Sequence, residues 1–316
     1  MAGGREVFLN ALQGRPADRP AFLPLVNRLA AKLAGCSLQE MQSDAGLWTG
    51  GLTAAAKLLG ADALAVAYDP TLTAEGLGAP IAWKNGLPRP AGPVETMAEN
   101  PEKKGRLATA LEVMRRLFAG DSSGRARVAM LTGPITSAAM LFGPDQAVGK
   151  ARDIKAPMLR CVEAACETRP DLMLLMEGQG FAAGGITPHH RRIYATVRNV
   201  ASYYNIPVGV FLRGYREEDL SGLRELGLDC LALGSSVAGG FPSLETARSV
   251  QSGGAAVLFS LDGEAPDKAA DVAAQAAGAA QAAGSSLVLI MAEPDRSDFQ
   301  IEKLRAAIEQ IALIRV

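Results

Sequence analysis

The sequence predicts an α/β protein, a single (β/α)8 TIM barrel that spans residues 1–316. Eight short apolar runs recur along the chain, each run is uninterrupted, and amphipathic segments of helical length separate them. Strands that are buried on both faces have this pattern, because helices cover one face and the barrel interior covers the other. A chain of this length also fits one barrel of this kind.

The eight apolar runs are the predicted strands of the barrel: Ala21–Leu25, Ala63–Ala67, Arg127–Leu131, Leu172–Met176, Pro207–Leu212, Cys230–Leu233, Ala255–Phe259 and Leu287–Met291. The predicted helices between them include Lys104–Ala119, Ala156–Glu167, His190–Tyr204 and Asp267–Ala283. The segment Leu77–Pro101 is rich in Pro and Gly and predicts a lid-like excursion after the second strand. An open doubly wound sheet is the alternative, but it requires a Gly-rich fingerprint after an early strand, and VNRLAAKLAG follows the first run instead.

Composition excludes several classes of protein. Lys and Arg number 32 against 33 Asp and Glu, so the chain lacks the basic surplus of a nucleic-acid surface. The chain has no run of roughly 18 apolar residues, the length that a membrane span requires. Its N-terminal segment carries charges where a signal peptide has an apolar core. The four cysteines are too sparse for a disulfide framework. These features favour a cytoplasmic globular protein that binds neither membrane nor nucleic acid.

In a barrel the chemistry lies at the carboxyl ends of the strands, so the residues that follow each run are the candidate site residues. Polar side chains occupy this position after nearly every strand, although loops are polar in general. The set nevertheless predicts where a ligand lies, and its members are Asn27, Arg28, Tyr68, Asp69, Thr132, Glu177, Gln179, Arg213, Tyr215, Ser260, Asp262 and Glu293.

Several segments resemble the uroporphyrinogen decarboxylase superfamily, which includes the corrinoid-dependent methyltransferases. They are ALQGRPADRP, AGCSLQE, LGADALAVAYDPTLTAEGLGAPI, MLTGPITSAAMLFG and EGQGFAAGGITPHHRRIYATV, in the family's order and spacing. The resemblance implies a (β/α)8 barrel with one of two activities. One removes carboxylates from the acetate arms of a tetrapyrrole; the other moves a methyl group between a corrinoid and a thiol or methoxy substrate, usually with zinc. Relatives commonly dimerise, so a homodimer is compatible with the resemblance.

Asp69 matches the aspartate with which the decarboxylases bind pyrrole NH groups, although an Asp-Pro turn explains it equally well. Those enzymes also hold substrate carboxylates with an arginine-rich segment after the first strand. Here the stretch reads LVNRL, and only Arg28 remains. This loss counts against uroporphyrinogen decarboxylation.

The methyltransferases bind zinc through His-x-Cys-Gly after the fifth strand and a cysteine after the eighth. In this chain the first motif reads Phe211-Leu-Arg213-Gly, and the late cysteine position falls at Glu293. We therefore expect no zinc and no cofactor bound by the chain itself. We also predict that Arg213 and Glu293 form an ion pair in place of the metal, because a guanidinium matches a carboxylate bidentately.

The predicted catalytic residues are therefore Asp69, Glu177, Arg213 and Glu293, with no metal ligand. Glu177 stands where the family has an aspartate. His190 follows Thr187-Pro188, a helix N-cap and first helical position. It is either a first-turn residue near solvent or a ligand or proton carrier at the mouth, beside Glu177.

Three hypotheses remain open. The first is a corrinoid-linked methyltransferase, a demethylase component, that takes a small substrate and works with a corrinoid on a partner protein. The second is a tetrapyrrole decarboxylase anchored by Asp69. The third is a catalytically silent barrel that binds a small molecule or a tetrapyrrole. A barrel mouth plugged by side chains, with no cavity of about 300 Å³ or more, would favour this third hypothesis.

Overall fold

Eight parallel strands form a nearly closed barrel in the computed structural model, and this confirms the predicted fold class. The structure describes residues 3–119, 124–178, 180–181, 185–220, 222–250, 256–263, 265–293 and 301–314. The barrel strands are β1 (Ala21–Leu25), β2 (Ala63–Val66), β5 (Ala126–Thr132), β6 (Leu172–Glu177), β7 (Val208–Leu212), β8 (Cys230–Leu233), β9 (Ala256–Leu261) and β10 (Leu287–Ala292). Each predicted strand is present, with ends shifted by at most two residues.

The strands pair in the order β1-β10-β9-β8-β7-β6-β5-β2, and all of these pairs are parallel. The two strands at the ends of this order, β1 and β2, meet where β2 begins. The Asp62 backbone N–H donates to the Phe22 carbonyl at 3.0 Å, and the Phe22 N–H donates to the Asp62 carboxylate at 2.9 Å. These two bonds close the gap between β1 and β2.

Thirteen helices accompany the strands in the described part of the chain. They are α1 (Gly4–Leu12), α2 (Asn27–Leu33), α3 (Leu38–Ser43), α4 (Ala45–Leu58), α5 (Leu72–Gly76), α6 (Gly105–Ala119), α7 (Pro134–Phe142), α8 (Ala147–Lys150), α9 (Lys155–Cys166), α10 (Pro188–Tyr203), α11 (Leu244–Ser249), α12 (Pro266–Ala282) and α13 (Ile301–Ala312). Short 3₁₀ turns occupy Pro101–Lys103, Pro144–Gln146, Glu217–Leu220 and Leu223–Leu226. Within the described residues, no helix is long and apolar enough to cross a membrane.

Two apolar layers hold the barrel together. The inner layer fills the barrel with side chains such as Leu23, Met130 and Ile290, and Val7 and Phe8 of α1 close its lower end. The outer layer joins the strands to the surrounding helices. Cys230 belongs to the inner layer.

The lid-like excursion expected after the second strand contains a β-hairpin, β3 (Ile81–Lys84) paired antiparallel with β4 (Leu87–Pro90). Asn85 and Gly86 form its two-residue turn with φ of 51° and 72°. Both residues tolerate the left-handed region, and Asn-Gly is the preferred sequence for this turn. The hairpin lies over the barrel mouth, where Leu87–Pro90 contribute to the wall of a cavity.

Candidate functional site

A cavity of about 790 Å³ lies at the carboxyl ends of the barrel strands. Its wall comes from the ends of β1, β2, β6 and β7, from helix α7 and from the β3–β4 hairpin. Seven residues predicted from the sequence lie in this wall: Asn27, Arg28, Tyr68, Asp69, Glu177, Arg213 and Glu293. These residues are far apart in the sequence, and they lie together because each of them is at or near the carboxyl end of a barrel strand.

A smaller cavity of about 200 Å³ adjoins the first, on the side of β8, β9 and β10. Arg213 and Glu293 line both cavities, so they stand at the boundary between them. Ser260 and Asp262, two further predicted residues, line the smaller cavity alone. We call the two spaces the main cavity and the side cavity.

Glu177 ends β6 and is almost completely buried, at 2% exposure. Four donors surround its carboxylate: the backbone N–H groups of Ile135 and Thr136, at 3.1 and 2.8 Å, and the hydroxyls of Thr136 and Tyr194. Burial raises the pKa of Glu177 to about 7, and the hydrogen bonds oppose that shift. Because the protein occupies all four positions, we assign Glu177 as a positioning residue for the first turn of α7.

Gly133 gives Glu177 its place. A side-chain carbon at Gly133 would collide with the Glu177 carboxylate, so only glycine lets the strand end approach the start of α7 this closely.

Asp69 lies in a buried network that the sequence did not predict. Its Oδ1 accepts from the Thr71 N–H and hydroxyl at 2.8 and 2.7 Å, and its Oδ2 accepts from Arg106 at 2.6 Å. Arg106 extends from α6 and also contacts Gln42 and Glu75, each at 2.6 Å. Asp69 therefore forms the Asp-Pro turn and also an ion pair with Arg106. Both of its carboxylate oxygens already accept hydrogen bonds from this chain.

Arg106 also connects the hairpin to the barrel. Its guanidinium carbon lies 5.1 Å from the centre of the Trp83 ring in β3, a cation–π contact. Arg106 lies in a helix, far from any strand end, so a search of the residues that follow the strands does not find it.

Glu293 contacts the amino end of α2. Its carboxylate accepts from the backbone N–H groups of Arg28 and Leu29 at 2.6 and 3.0 Å, and the Arg28 Nε lies 3.8 Å from Oε1. Burial raises the pKa of Glu293, and these donors oppose the shift. The predicted ion pair between Arg213 and Glu293 is therefore wrong in its partner: among the described residues, Arg28 pairs with Glu293. Exposed N–H groups and the dipole of a helix start attract this carboxylate to α2.

Arg213 turns toward β2 instead. Its guanidinium donates to the Tyr68 hydroxyl at 3.0 Å, and the Tyr68 carbonyl accepts from the buried Asn27 amide at 2.6 Å. Tyr68 also packs against Phe211, with ring centroids 6.3 Å apart. Asn27, Tyr68 and Arg213 thus form a connected polar wall of the main cavity.

Two predicted binding residues, Thr132 and Tyr215, lie outside both cavity walls. Thr132 is fully buried and bonds to Thr73 and Pro70, which fixes the end of β5. Tyr215 is buried in the outer apolar layer, and burial raises its pKa to about 12. Thr132 is the last residue of β5, and Tyr215 follows β7. Gln179 lies outside the described residues.

His190 takes a structural role. Its Nδ1 accepts from the Thr187 N–H at 3.2 Å, and its Nε2 bonds to the Phe181 carbonyl at 2.6 Å. The ring is buried, at 1% exposure, whereas His189 is exposed. Thr187 is the N-cap of α10 and Pro188 its first residue, as predicted. His190 does lie in the first turn of α10, but it is neither near solvent nor at the barrel mouth. Its buried ring bonds to the loop that precedes α10.

The residues at the family's metal position do not fit zinc. Arg213 is a cation that cannot ligate a metal, and Glu293 is held by the start of α2. In the described part of the chain, no group of three His, Cys, Asp or Glu side chains could hold a metal ion.

Residues 4–167 match the model of the family described as uroporphyrinogen decarboxylase (URO-D). No curated protein matches the sequence at a significant level.

Among solved structures, a methyltransferase from Methanosarcina mazei is 18% identical, with 99% of each chain covered and a TM-score of 0.78. At this identity the match shows a shared fold. A lyase or mutase, so described provisionally, from Burkholderia cenocepacia is 16% identical over 96% of this chain and 77% of that one, with a TM-score of 0.40. A B12-independent methionine synthase from a Shewanella species is 12% identical over 94% and 95% of the two chains, with a TM-score of 0.44. At TM-scores below 0.5, these last two matches do not show a shared fold.

Proposed function

The chain belongs to the uroporphyrinogen decarboxylase family, and from that premise we propose that it is a methyltransferase of the family's corrinoid-linked branch. In this proposal a small methyl donor binds in the main cavity, and a partner protein presents a corrinoid above the barrel mouth. The donor's methyl group passes to that corrinoid.

The charge balance of the main cavity carries this proposal. Its described wall contains three arginines, Arg28, Arg89 and Arg213, and three acids, Asp69, Glu177 and Glu293. Uroporphyrinogen has eight carboxylates and needs a clear surplus of fixed cations. Three arginines, one of which pairs with Glu293, are too few for eight carboxylates, so the wall suits a small substrate with few charges.

Asp69 argues against the decarboxylase alternative in the same way. Its role in that reaction would be to accept the pyrrole N–H groups of a tetrapyrrole. Here its two oxygens already accept from Thr71 and Arg106 at 2.6 to 2.8 Å. A tetrapyrrole would have to displace a buried ion pair.

The size of the main cavity favours an active site over a silent barrel. About 790 Å³ lies within the range of roughly 300–1,000 Å³ for small-molecule sites. The shared fold with the Methanosarcina methyltransferase, over 99% of both chains, adds support to the methyltransferase branch.

Five polar residues of the main cavity have a place in this proposal. Arg213 and Tyr68 bind and orient the donor, and Asn27 holds the backbone of Tyr68. Glu177 keeps Thr136 and the start of α7 in position. The hairpin excludes water from the mouth, since Leu87–Pro90 form part of the wall.

The test supplies the purified protein with free cob(I)alamin and a panel of methyl donors: methylated amines, methanol and a methoxybenzoate. We expect the absorbance of methylcob(III)alamin to appear with at least one donor, and to appear much more slowly in Tyr68→Phe and Arg213→Met. Uroporphyrinogen III is incubated in parallel, and its products are separated by chromatography. Loss of its carboxylates without any methyl transfer would overturn the proposal in favour of decarboxylation, and inactivity in both assays would favour the silent barrel.

A further inference from the structure

The side cavity contains a buried hydroxyl that no protein group satisfies. Ser260, in β9, is 3% exposed, and its Oγ has no hydrogen-bond partner among the described residues. Its side chain lines the side cavity. A buried polar atom without a partner has a free-energy cost that a bound ligand can remove. This hydroxyl is an independent sign that the side cavity takes a ligand.

The rest of the wall is suited to an organic cation. Two aromatic rings, Phe211 and Phe241, and two acids, Asp262 and Glu293, face the same space of about 200 Å³. Aromatic faces and carboxylates together bind quaternary and methylated ammonium groups. The volume is large enough for a trimethylammonium group.

The boundary between the cavities adds a cation, Arg213, beside Glu293. Arg213 lines both spaces, and its guanidinium reaches toward Tyr68 in the main cavity. A ligand that places a cation in the side cavity therefore brings its neighbouring atoms to an arginine that binds carboxylates bidentately.

We propose that the side cavity binds the ammonium group of a small zwitterionic N-methylated amino acid or betaine, and that Arg213 binds its carboxylate. The Ser260 oxygen then accepts from an ammonium N–H or, in a betaine, from the polarised C–H groups of an N-methyl group, a weaker contact. Ser260 and Asp262 are the specificity-determining residues of this subsite. The inference rests on the proposed methyltransferase function and names its substrate class.

The chemistry of this donor suits the residues present. The C–N bond breaks with its electron pair remaining on nitrogen, so a quaternary ammonium leaves as a neutral tertiary amine. The methyl carbon bonds to the cobalt of the corrinoid, which supplies the electron pair and is oxidised by two electrons. No proton moves and no electrophile has to assist the leaving group. An ether donor, in contrast, would leave as an alkoxide and need an acid.

The test measures binding to the intact protein without any corrinoid, by isothermal titration calorimetry. The probe is glycine betaine, and its matched control is 3,3-dimethylbutanoate, which has the same shape and carboxylate but a carbon in place of the charged nitrogen. We expect glycine betaine to bind at least about tenfold more tightly, a difference of roughly 1.4 kcal/mol. Equal affinities would overturn the inference, as would the absence of binding by glycine betaine.

Variants locate the site. Asp262→Asn should weaken glycine betaine about tenfold and leave 3,3-dimethylbutanoate unchanged, whereas Ser260→Ala should weaken it by a smaller factor. Ser286→Ala is the matched control, since Ser286 is another buried serine with no hydroxyl partner among the described residues and lies outside both cavity walls. Thermal unfolding confirms that each variant is folded. Unchanged affinity in both Asp262→Asn and Ser260→Ala would contradict the assignment.

Failure of the subsite and failure of the methyltransferase function give different results. Methyl transfer from another donor, without binding of glycine betaine, would overturn the subsite alone. Selective binding of glycine betaine without methylation of cob(I)alamin by any donor would overturn the transfer function alone.

Discussion

The two sides of the barrel mouth treat their polar groups in opposite ways. On the side of β2 and β6, Asp69 and Glu177 are buried and surrounded by donors from Thr71, Arg106, Thr136 and Tyr194. On the side of β9, the Ser260 hydroxyl is buried without a partner among the described residues. We call the side of β2 and β6 the saturated side, because the protein supplies hydrogen-bond partners for its buried polar groups, and this side is a scaffold. The side of β9 is the unsaturated side, where a buried hydroxyl remains able to bond to a ligand.

The largest expected effect lies on the saturated side, at Arg106. Arg106→Met leaves the buried Asp69 and the partly buried Glu75 without their cation, so we expect a loss of about 3–5 kcal/mol in unfolding free energy. Urea unfolding measures it. Arg116→Met on the same helix is the control, because Arg116 pairs with Glu112 at the surface and should cost less than about 1 kcal/mol. Equal losses in the two variants would mean that the network is not a scaffold.

Glu177 gives the next effect, which depends on pH. Its folded pKa, near 7, lies above the ordinary value of 4.5, so the native state binds this proton more tightly than the unfolded state. The resulting stability is fully present below pH 4.5 and is lost as pH rises through 7. Between pH 5 and pH 8 the wild type should lose about 2 kcal/mol more than Glu177→Gln, as measured by urea unfolding at both values.

Glu112→Gln serves as the control for that measurement, because the Glu112 side chain is 41% exposed and its pKa is lowered. It should follow the wild type across the pH range. A Glu177→Gln variant with the pH dependence of the wild type would contradict the buried, raised-pKa carboxyl.

The smallest effects compare the two sides directly. Thr136→Val removes a hydroxyl that donates to Glu177 and accepts from the Gly178 N–H at 2.8 Å, and should cost about 1–3 kcal/mol. Ser260→Ala removes a buried hydroxyl without a partner, so it should not destabilise the protein and should raise the unfolding free energy by up to about 1 kcal/mol. Thermal unfolding of the two variants side by side checks this contrast. A loss of stability in Ser260→Ala would show that its hydroxyl is already satisfied.

The strands of the fold were predictable because burial on both faces leaves an uninterrupted apolar run. Ala21–Leu25 and Cys230–Leu233 have the predicted bounds, and the others differ by one or two residues. The hairpin was predicted only as an excursion, although Asn85-Gly86 is a strong hairpin signal. Membership of the cavity wall was predictable for Tyr68, Glu177 and Arg213, because it follows from their places just after strands.

The pairing of side chains was less predictable than their location. Arg213 and Glu293 do line one boundary, but the start of α2 competes for Glu293, and that competition depends on where the helix begins. Arg106 and Tyr194 reach the site from helices, at positions that no strand pattern marks. Long side chains can come from any element, and only the folded geometry selects them.

The central claim, that balanced charges at the mouth suit a small substrate and exclude a polyanion, is tested most directly by titration with uroporphyrin, an octacarboxylate, followed through its visible absorption band. The account predicts no saturable spectral shift at moderate ionic strength, for the wild type or for Arg213→Met. A saturable shift in the wild type that Arg213→Met abolishes would contradict the account and would place a polyanionic tetrapyrrole in the main cavity.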